Sequence, residues 1–177
     1  MSLFDRSRAS DFSARRIILA CALALSLGGC VHPIYGAFGA PGLVEELQAI
    51  KVEPMPDRLG HYLANELMFA LNGTGSDVAP KYRLFVSFKE RAQTPVIDTV
   101  TGRATSASVI VDAEWSLMPI AGGEPVARGV AFGAVSYDRT LQRISNVRAA
   151  RDAETRNAKM LADQIRQQIA AQFSARG

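Results

Sequence analysis

Between Ser106 and Leu117 the chain keeps a period of two. Ala107, Val109, Val111, Ala113, Trp115 and Leu117 form an apolar row, and Ser106, Ser108, Asp112, Glu114 and Ser116 stand on the other. Successive side chains of a strand point to opposite faces, so this is a strand with one face to bury and one to leave open. A sheet built on such a strand needs a covering layer on one side only. That requirement limits the fold more than any other stretch, and the rest of the chain must supply the cover.

Two amphipathic helices can supply it. Asp57 is placed to cap the first. Its stripe of Leu59, Leu63, Leu67, Ala70 and Leu71, with Tyr62 beside it, recurs at helical spacing, and Asn72-Gly73 predicts a left-handed stop. The second is one long helix from Val147 to about Phe173, with Ala150, Ala153, Leu161, Ile165, Ile169 and Phe173 on one stripe. Three further strands are predicted around the longest one. Leu47 to Val52 is stopped by Pro54 and Pro56. Tyr82, Leu84, Val86 and Phe88 alternate with Arg83, Phe85 and Ser87. Pro125 to Asp138 returns after a hairpin turn in which Gly122-Gly123 supplies positive φ. In that last strand Val126, Val130, Phe132 and Ala134 are expected inward, with Gly129 and Gly133 opposite. The order β-α-β-β-β-α predicts an α+β fold, a two-layer sandwich. Its four-stranded, mostly antiparallel mixed sheet is covered on one face by two helices. The first strand–helix–strand unit is parallel with a right-handed crossover.

The N-terminus decides how much of the chain belongs to this domain. Ile17 to Leu27 is a short apolar run directly after Arg15 and Arg16. A bilayer-spanning helix needs roughly 20 apolar residues. The positive flank, short core and small residues at its end therefore read as a secretory signal. Its last residues, Leu27-Gly28-Gly29-Cys30, resemble the lipobox of bacterial lipoproteins. That resemblance implies a thioether to diacylglycerol on Cys30, cleavage just before it, and acylation of the freed amine. A cysteine buried in a core helix is the other reading, and it gives the arginines and glycines no purpose. The expected organisation is a lipoprotein signal peptide over 1–29, a lipidated tether over 30–44 carrying Pro33, Gly36, Gly39, Pro41 and Gly42, and a single α+β domain over 45–177.

Cleavage changes the chemistry available. Four arginines and two aspartates leave with residues 1–29, so 20 basic and 17 acidic side chains become 16 and 15, a net charge of +1. A nucleic-acid partner then lacks an electrostatic basis. Cys21 leaves too, and with Cys30 lipidated neither a disulfide nor a thiolate metal site is expected. The two histidines, His32 and His61, have no neighbours at ligand spacing, and no nucleophile elbow or phosphate-cradling loop is present. The expectation is a protein that is not an enzyme, with no metal and no cofactor beyond the acyl chains on Cys30.

Several short patches carry a family resemblance. They are Cys30-Val-His-Pro33-Ile-Tyr35-Gly36, then "PDRLGHYLANEL" from Pro56 to Leu67, then Tyr82-Arg-Leu84-Phe-Val86. Ser136-Tyr137-Asp138 follows, and then Ala149, Asp152, Ala153, Arg156, Leu161, Ala162 and Ile165 on the last helix. In this order they resemble the lipopolysaccharide-assembly lipoproteins of the outer membrane, the LptE family, in its alphaproteobacterial form. The chain departs in lacking Gly-Phe after the cysteine, in being one residue shorter before Pro33, and in having His61 where Gln is usual. The resemblance implies a lipid-anchored protein on the periplasmic side of the outer membrane. Its partner would be the β-barrel LptD, plugged in a one-to-one complex that delivers lipopolysaccharide to the outer leaflet. The alternatives are another lipoprotein adaptor, such as the auxiliary lipoprotein of a lipid-transport ABC system or an activator of peptidoglycan synthesis, and a periplasmic hydrolase. Much of the motif also has a structural reading: Asp57-Arg58 starts a helix, and Asn65, mid-helix, suggests a structural hydrogen bond.

Between the second and third strands, Lys89 to Ser106 contains Pro95 and Gly102, poor residues for a strand interior. It reads as a hairpin end with Lys89, Arg91 and Arg103 near its base and Val96-Ile97 towards its tip. Lipid A is anionic and acylated, so these three cations are the candidate lipopolysaccharide contact. Their other reading is charge that keeps a strand edge from aggregating.

The anchor gives the first testable outcome. Each buried methylene contributes about 0.8 kcal/mol, so two or more acyl chains hold a protein stably in a leaflet. Cys30→Ala should leave the chain unprocessed or, behind a cleavable signal, soluble in the periplasmic fraction. Undiminished outer-membrane recovery, with any barrel partner depleted, would rule out the anchor.

Overall fold

The structure, a computed structural model, describes residues 42–73, 77–93 and 104–176. The elements are α1 (Leu43–Gln48), β1 (Ile50–Val52), α2 (Asp57–Asn72), β2 (Tyr82–Gln93), β3 (Ser106–Pro119), β4 (Ala127–Asp138) and α3 (Arg143–Ser174). The sheet order is β1-β2-β3-β4. β1 runs parallel to β2, and the β2–β3 and β3–β4 pairs are antiparallel. α3 lies along β4 and β3, and α2 packs against α3 and β1. The result is the two-layer α+β architecture with a mixed sheet covered on one face.

β3 is the centre of the core. All six residues of its apolar row are buried, Val111 and Leu117 fully. Leu59, Leu63, Leu67 and Leu71 of α2 and Leu161, Ile165 and Ile169 of α3 are buried in the same core. Gly60 joins the α2 stripe because Met55 lies against it, where a Cβ would come 2.9 Å from the Met55 Cβ. Gly122 and Gly123 take φ of 87° and 112° in the β3–β4 turn, which closes with the Val126 amide donating to the Leu117 carbonyl at 2.8 Å.

Several local expectations need correction. Residues Leu43–Gln48 are helical, so the strand expected from Leu47 shrinks to Ile50–Val52. Leu43 and Leu47 are four apart and both buried, a helical spacing, and alternation starts only at Ile50. Helix α1 thus begins within the last residues of the expected tether; residues 30–41 of that tether, including Cys30, lie outside the described residues. Asp57 does not cap α2: Pro56 holds the N-cap position without a side-chain cap bond, and Asp57 itself has φ of 65°. Asn65 is exposed. β2 continues to Gln93, and α3 begins at Arg143 rather than Val147.

The largest correction concerns β4. Its register pairs Val130 with Glu114 and Phe132 with Asp112, which puts both large residues on the open face. Ala127, Gly129, Ala131 and Gly133 point at α3 instead. The reason is distance. A Cβ on Gly129 would sit 2.8 Å from the Trp115 ring and 2.9 Å from Gln168 Oε1; one on Gly133 would sit 1.8 Å from Asn157 Oδ1. The helix comes so near that only the smallest side chains fit beneath it.

Hydrogen bonds hold α3 there. Gln164, Gln168 and Gln172 recur every four residues and donate to the carbonyls of Phe132 (3.1 Å), Val130 (2.9 Å) and Arg128 (3.1 Å). The Phe132 amide donates back to Gln164 Oε1 at 3.3 Å. Four helical residues rise about 6 Å and two strand residues about 6.6 Å, so an antiparallel helix and strand stay in step. Gln168 Oε1 also accepts from Trp115 Nε1 at 2.7 Å, tying the buried indole into the ladder. Asn157, fully buried, donates to the Val109 carbonyl at 3.0 Å.

Gly133→Ala should destabilise the domain by about 1–3 kcal/mol, the range for forcing a methyl into a packed core. The blocking atom belongs to Asn157, so Gly133→Ala with Asn157→Ala should cost less than the sum of the single changes in denaturant melts, with a coupling of about 0.5 kcal/mol or more. Strict additivity would contradict the close approach of α3.

Candidate functional surface

The face of the sheet away from the helices has no cover among the described residues, and it is not a simple solvated face. Phe85 of β2 and Val130 and Phe132 of β4 are 39%, 68% and 55% exposed. These three apolar side chains stand exposed on one face with charged residues around them. Twist turns the face into a trough. One depression of about 550 Å³ runs along Glu53, Phe85, Ser116 and Arg128; the next, of about 500 Å³, runs along Lys89, Asp112 and Phe132. Ser87, Glu114 and Val130 line both, so the two join.

Ion pairs organise its rim. Arg83 Nε donates to Glu53 Oε1 at 2.7 Å, and its guanidinium lies 4.9 Å from the centre of the Phe85 ring. Arg91 pairs with Asp112 across the β2–β3 ladder. Such exposed pairs add little stability, typically about 0–1 kcal/mol.

Of the sequence-predicted site residues, Cys30 and Arg103 lie outside the described residues, as does the Val96-Ile97 tip. Lys89 and Arg91 stand two apart on the open-face row of β2, within the strand rather than at the base of a projecting hairpin. β2 continues past Phe88 because Lys89 to Gln93 stay in register with Asp112 to Ser108. Arg91 already has a carboxylate partner, and Lys89 is the freer cation for an anionic group. Sequence reasoning missed Val130, Phe132 and Arg128. The signal was the Gly129/Gly133 spacing, which marks the face that a neighbour approaches closely.

A second cluster joins the helices. Arg58, on α2, grips Glu154 of α3 through two bonds, Nε to Oε2 at 2.7 Å and Nη2 to Oε1 at 2.5 Å. The Glu154 side chain is 8% exposed, so this fork satisfies a carboxylate that would otherwise be buried alone. The Asp57-Arg58 pair of the motif therefore works mainly through Arg58, as an interhelical clasp. Nearby, burial pushes the Glu90 carboxyl above its ordinary range; Glu154 and Asp57 add to the rise, and Arg58 opposes it.

No family model matches the chain, and no curated protein does. Solved structures do. The chain is similar to a candidate lipoprotein from Caulobacter crescentus at 25% identity and a TM-score of 0.63, with 76% of this chain and 96% of that one covered. It is also similar to the rare lipoprotein B from Shewanella oneidensis at 15% identity and a TM-score of 0.53, covering 71% and 95%. The second likeness is one of fold.

Glu90 gives a pH test. Its folded pKa is raised, so its contribution favours the fold below the unfolded carboxylate value, about 4.3, and is lost as pH rises through the folded value. Glu90→Gln should therefore melt above wild type at pH 7, and the gap should close below about pH 4. An equal gap at both pH values would show that ionisation of Glu90 does not limit stability.

Proposed function

We propose that this chain is a lipid-anchored outer-membrane protein that docks through its open sheet face within the lumen of the lipopolysaccharide-translocating barrel LptD. As a one-to-one plug it would help that barrel assemble and pass lipopolysaccharide to the outer leaflet. The observation that carries the reading is the trough: Phe85, Val130 and Phe132 exposed among paired charges, on a face that no described element covers. Barrel lumens are polar, and a surface alternating ion pairs with isolated apolar side chains suits such a wall better than it suits water or another core.

Two further observations support it. The sequence patches from Cys30 to Ile165 resemble the lipopolysaccharide-assembly lipoproteins. A protein of the same fold and 25% identity is itself described as a candidate lipoprotein, which favours the anchor on Cys30. In this reading Lys89 and Arg91 lie at the trough's rim, where the phosphates of a passing lipid could reach Lys89 directly.

The test is purification of the tagged chain from detergent-solubilised native membranes. A stoichiometric outer-membrane barrel should come with it, and Val130→Lys with Phe132→Lys, whose cations would stand opposite Glu114 and Asp112, should reduce the barrel's recovery at least tenfold while the circular dichroism of the domain is unchanged. Recovery of an inner-membrane ABC transporter instead, or a barrel retained in full by the double variant, would overturn the reading.

A further inference from the structure

The turn from β4 into α3 is built unlike the rest of the surface. Its sequence, Arg139-Thr-Leu141-Gln-Arg143-Ile144-Ser-Asn-Val147-Arg148-Ala-Ala-Arg151, holds four arginines and no acidic residue. Leu141, Ile144 and Val147 are 81%, 71% and 45% exposed, which makes Leu141 and Ile144 the most exposed large apolar side chains among the described residues. The loop is not loose. Asn146 Oδ1 accepts from the Thr140 amide at 2.8 Å, its Nδ2 donates to the Thr140 carbonyl at 2.9 Å, and the Gln142 amide donates to Thr140 Oγ1 at 3.2 Å. The Arg139 amide is fixed to the Thr105 carbonyl at 2.9 Å. Leu141 is therefore held outward by its neighbours.

The arrangement along α3 is directional. Ile144, Val147, Arg148 and Arg151 follow one exposed helical stripe, with the apolar pair at the tip and the two guanidinium groups further back. At 1.5 Å per residue, Arg148 and Arg151 stand about 6 Å and 10 Å behind Ile144. That offset is close to the distance from the outer acyl region of a leaflet to its phosphates, and arginine stems reach upward along apolar surface while their heads stay at the phosphates. Arg143 in the first turn, with no acidic residue there, is unfavourable for the helix dipole.

We infer that the β4–α3 corner, with Leu141 and Ile144 at its tip and Arg148 and Arg151 behind them, is a second membrane contact that rests in an anionic phospholipid leaflet. It takes from the preceding section only that the chain is attached to a membrane, and it applies to the chain before it enters a barrel, because a corner enclosed by the lumen wall meets no leaflet.

Photo-crosslinking tests it on the full chain. A diazirine side chain is placed at Ile144 and, as a control, at Glu124 in the β3–β4 turn at the other end of the sheet. Each protein is reconstituted in vesicles of phosphatidylethanolamine with either phosphatidylglycerol or lipopolysaccharide as the anionic component. Lipid adducts are then counted by mass spectrometry, and vesicle flotation scores attachment separately. The expected result is at least fivefold more phosphatidylglycerol adducts at Ile144 than at Glu124, lost in the Arg148→Glu, Arg151→Glu variant whose circular dichroism is unchanged. Equal adducts at the two sites, adducts only with lipopolysaccharide, or adducts indifferent to charge reversal would each overturn the inference. A chain that fails to float would count against the anchor instead, and the Ile144 adducts formed with added vesicles would still decide this contact.

Discussion

The seating of α3 on β4 sets the rest of the domain. Gln164, Gln168 and Gln172 bond the backbone of β4 at every second residue, and Gly129 and Gly133 clear the space beneath. Three things follow from one contact. The inner face of the sheet is closed, and the Arg128, Val130 and Phe132 carbonyls on the free edge of β4 have donors. The bulk of β4 is pushed to the other side, because residues that cannot fit under the helix must either be small or face outward. The exposed Val130 and Phe132 are thus the geometric counterpart of the glycines beneath the helix.

The remaining sheet edges are managed by different means. β1 is three residues long and runs into Pro54 and Pro56, so it offers little to a neighbouring strand. β2 pairs with β1 only over Tyr82–Leu84, and among the described residues no strand covers its far half. A second copy adding there antiparallel, faces matched, would set Glu90 against Glu90 with Lys89 against Arg91, or Lys89 against Lys89 in the neighbouring register. Like charges directly opposite are destabilising. The domain resists its own copies at the edge while keeping an apolar trough on its face, a combination suited to a partner of another kind.

Most of the fold was legible because it follows from periodicity. The inward row of β3, the leucine stripe of α2, the Leu161–Ile165–Ile169 stripe of α3 and the glycine turn all occur where spacing places them. What could not be read depended on distances between elements. Hydrophobicity alone turns Val130 and Phe132 inward; only the nearness of α3 reverses them. The ladder glutamines look like solvated helix positions until β4 is set beside them. Arg58 and Glu154 are 96 residues apart, and neither marks the other in the sequence. At the candidate surface, Lys89 and Arg91 were visible as cations, but Lys-Glu-Arg carries no apolar alternation, so the extension of β2 that puts them on the open face had no local signal.

If the open face is the docking face, its side chains must be covered in the cell and bare in isolation. Hydroxyl-radical footprinting of the chain in intact outer membranes, set against the purified protein, reads this directly. Phe85 and Phe132, both well exposed in the domain alone, should be oxidised readily in isolation and protected several-fold in the membrane, while Phe69 on the outer side of α2 changes little. Equal oxidation of Phe85 and Phe132 in the two states, with Phe69 protected instead, would place the partner on the helices and contradict the account.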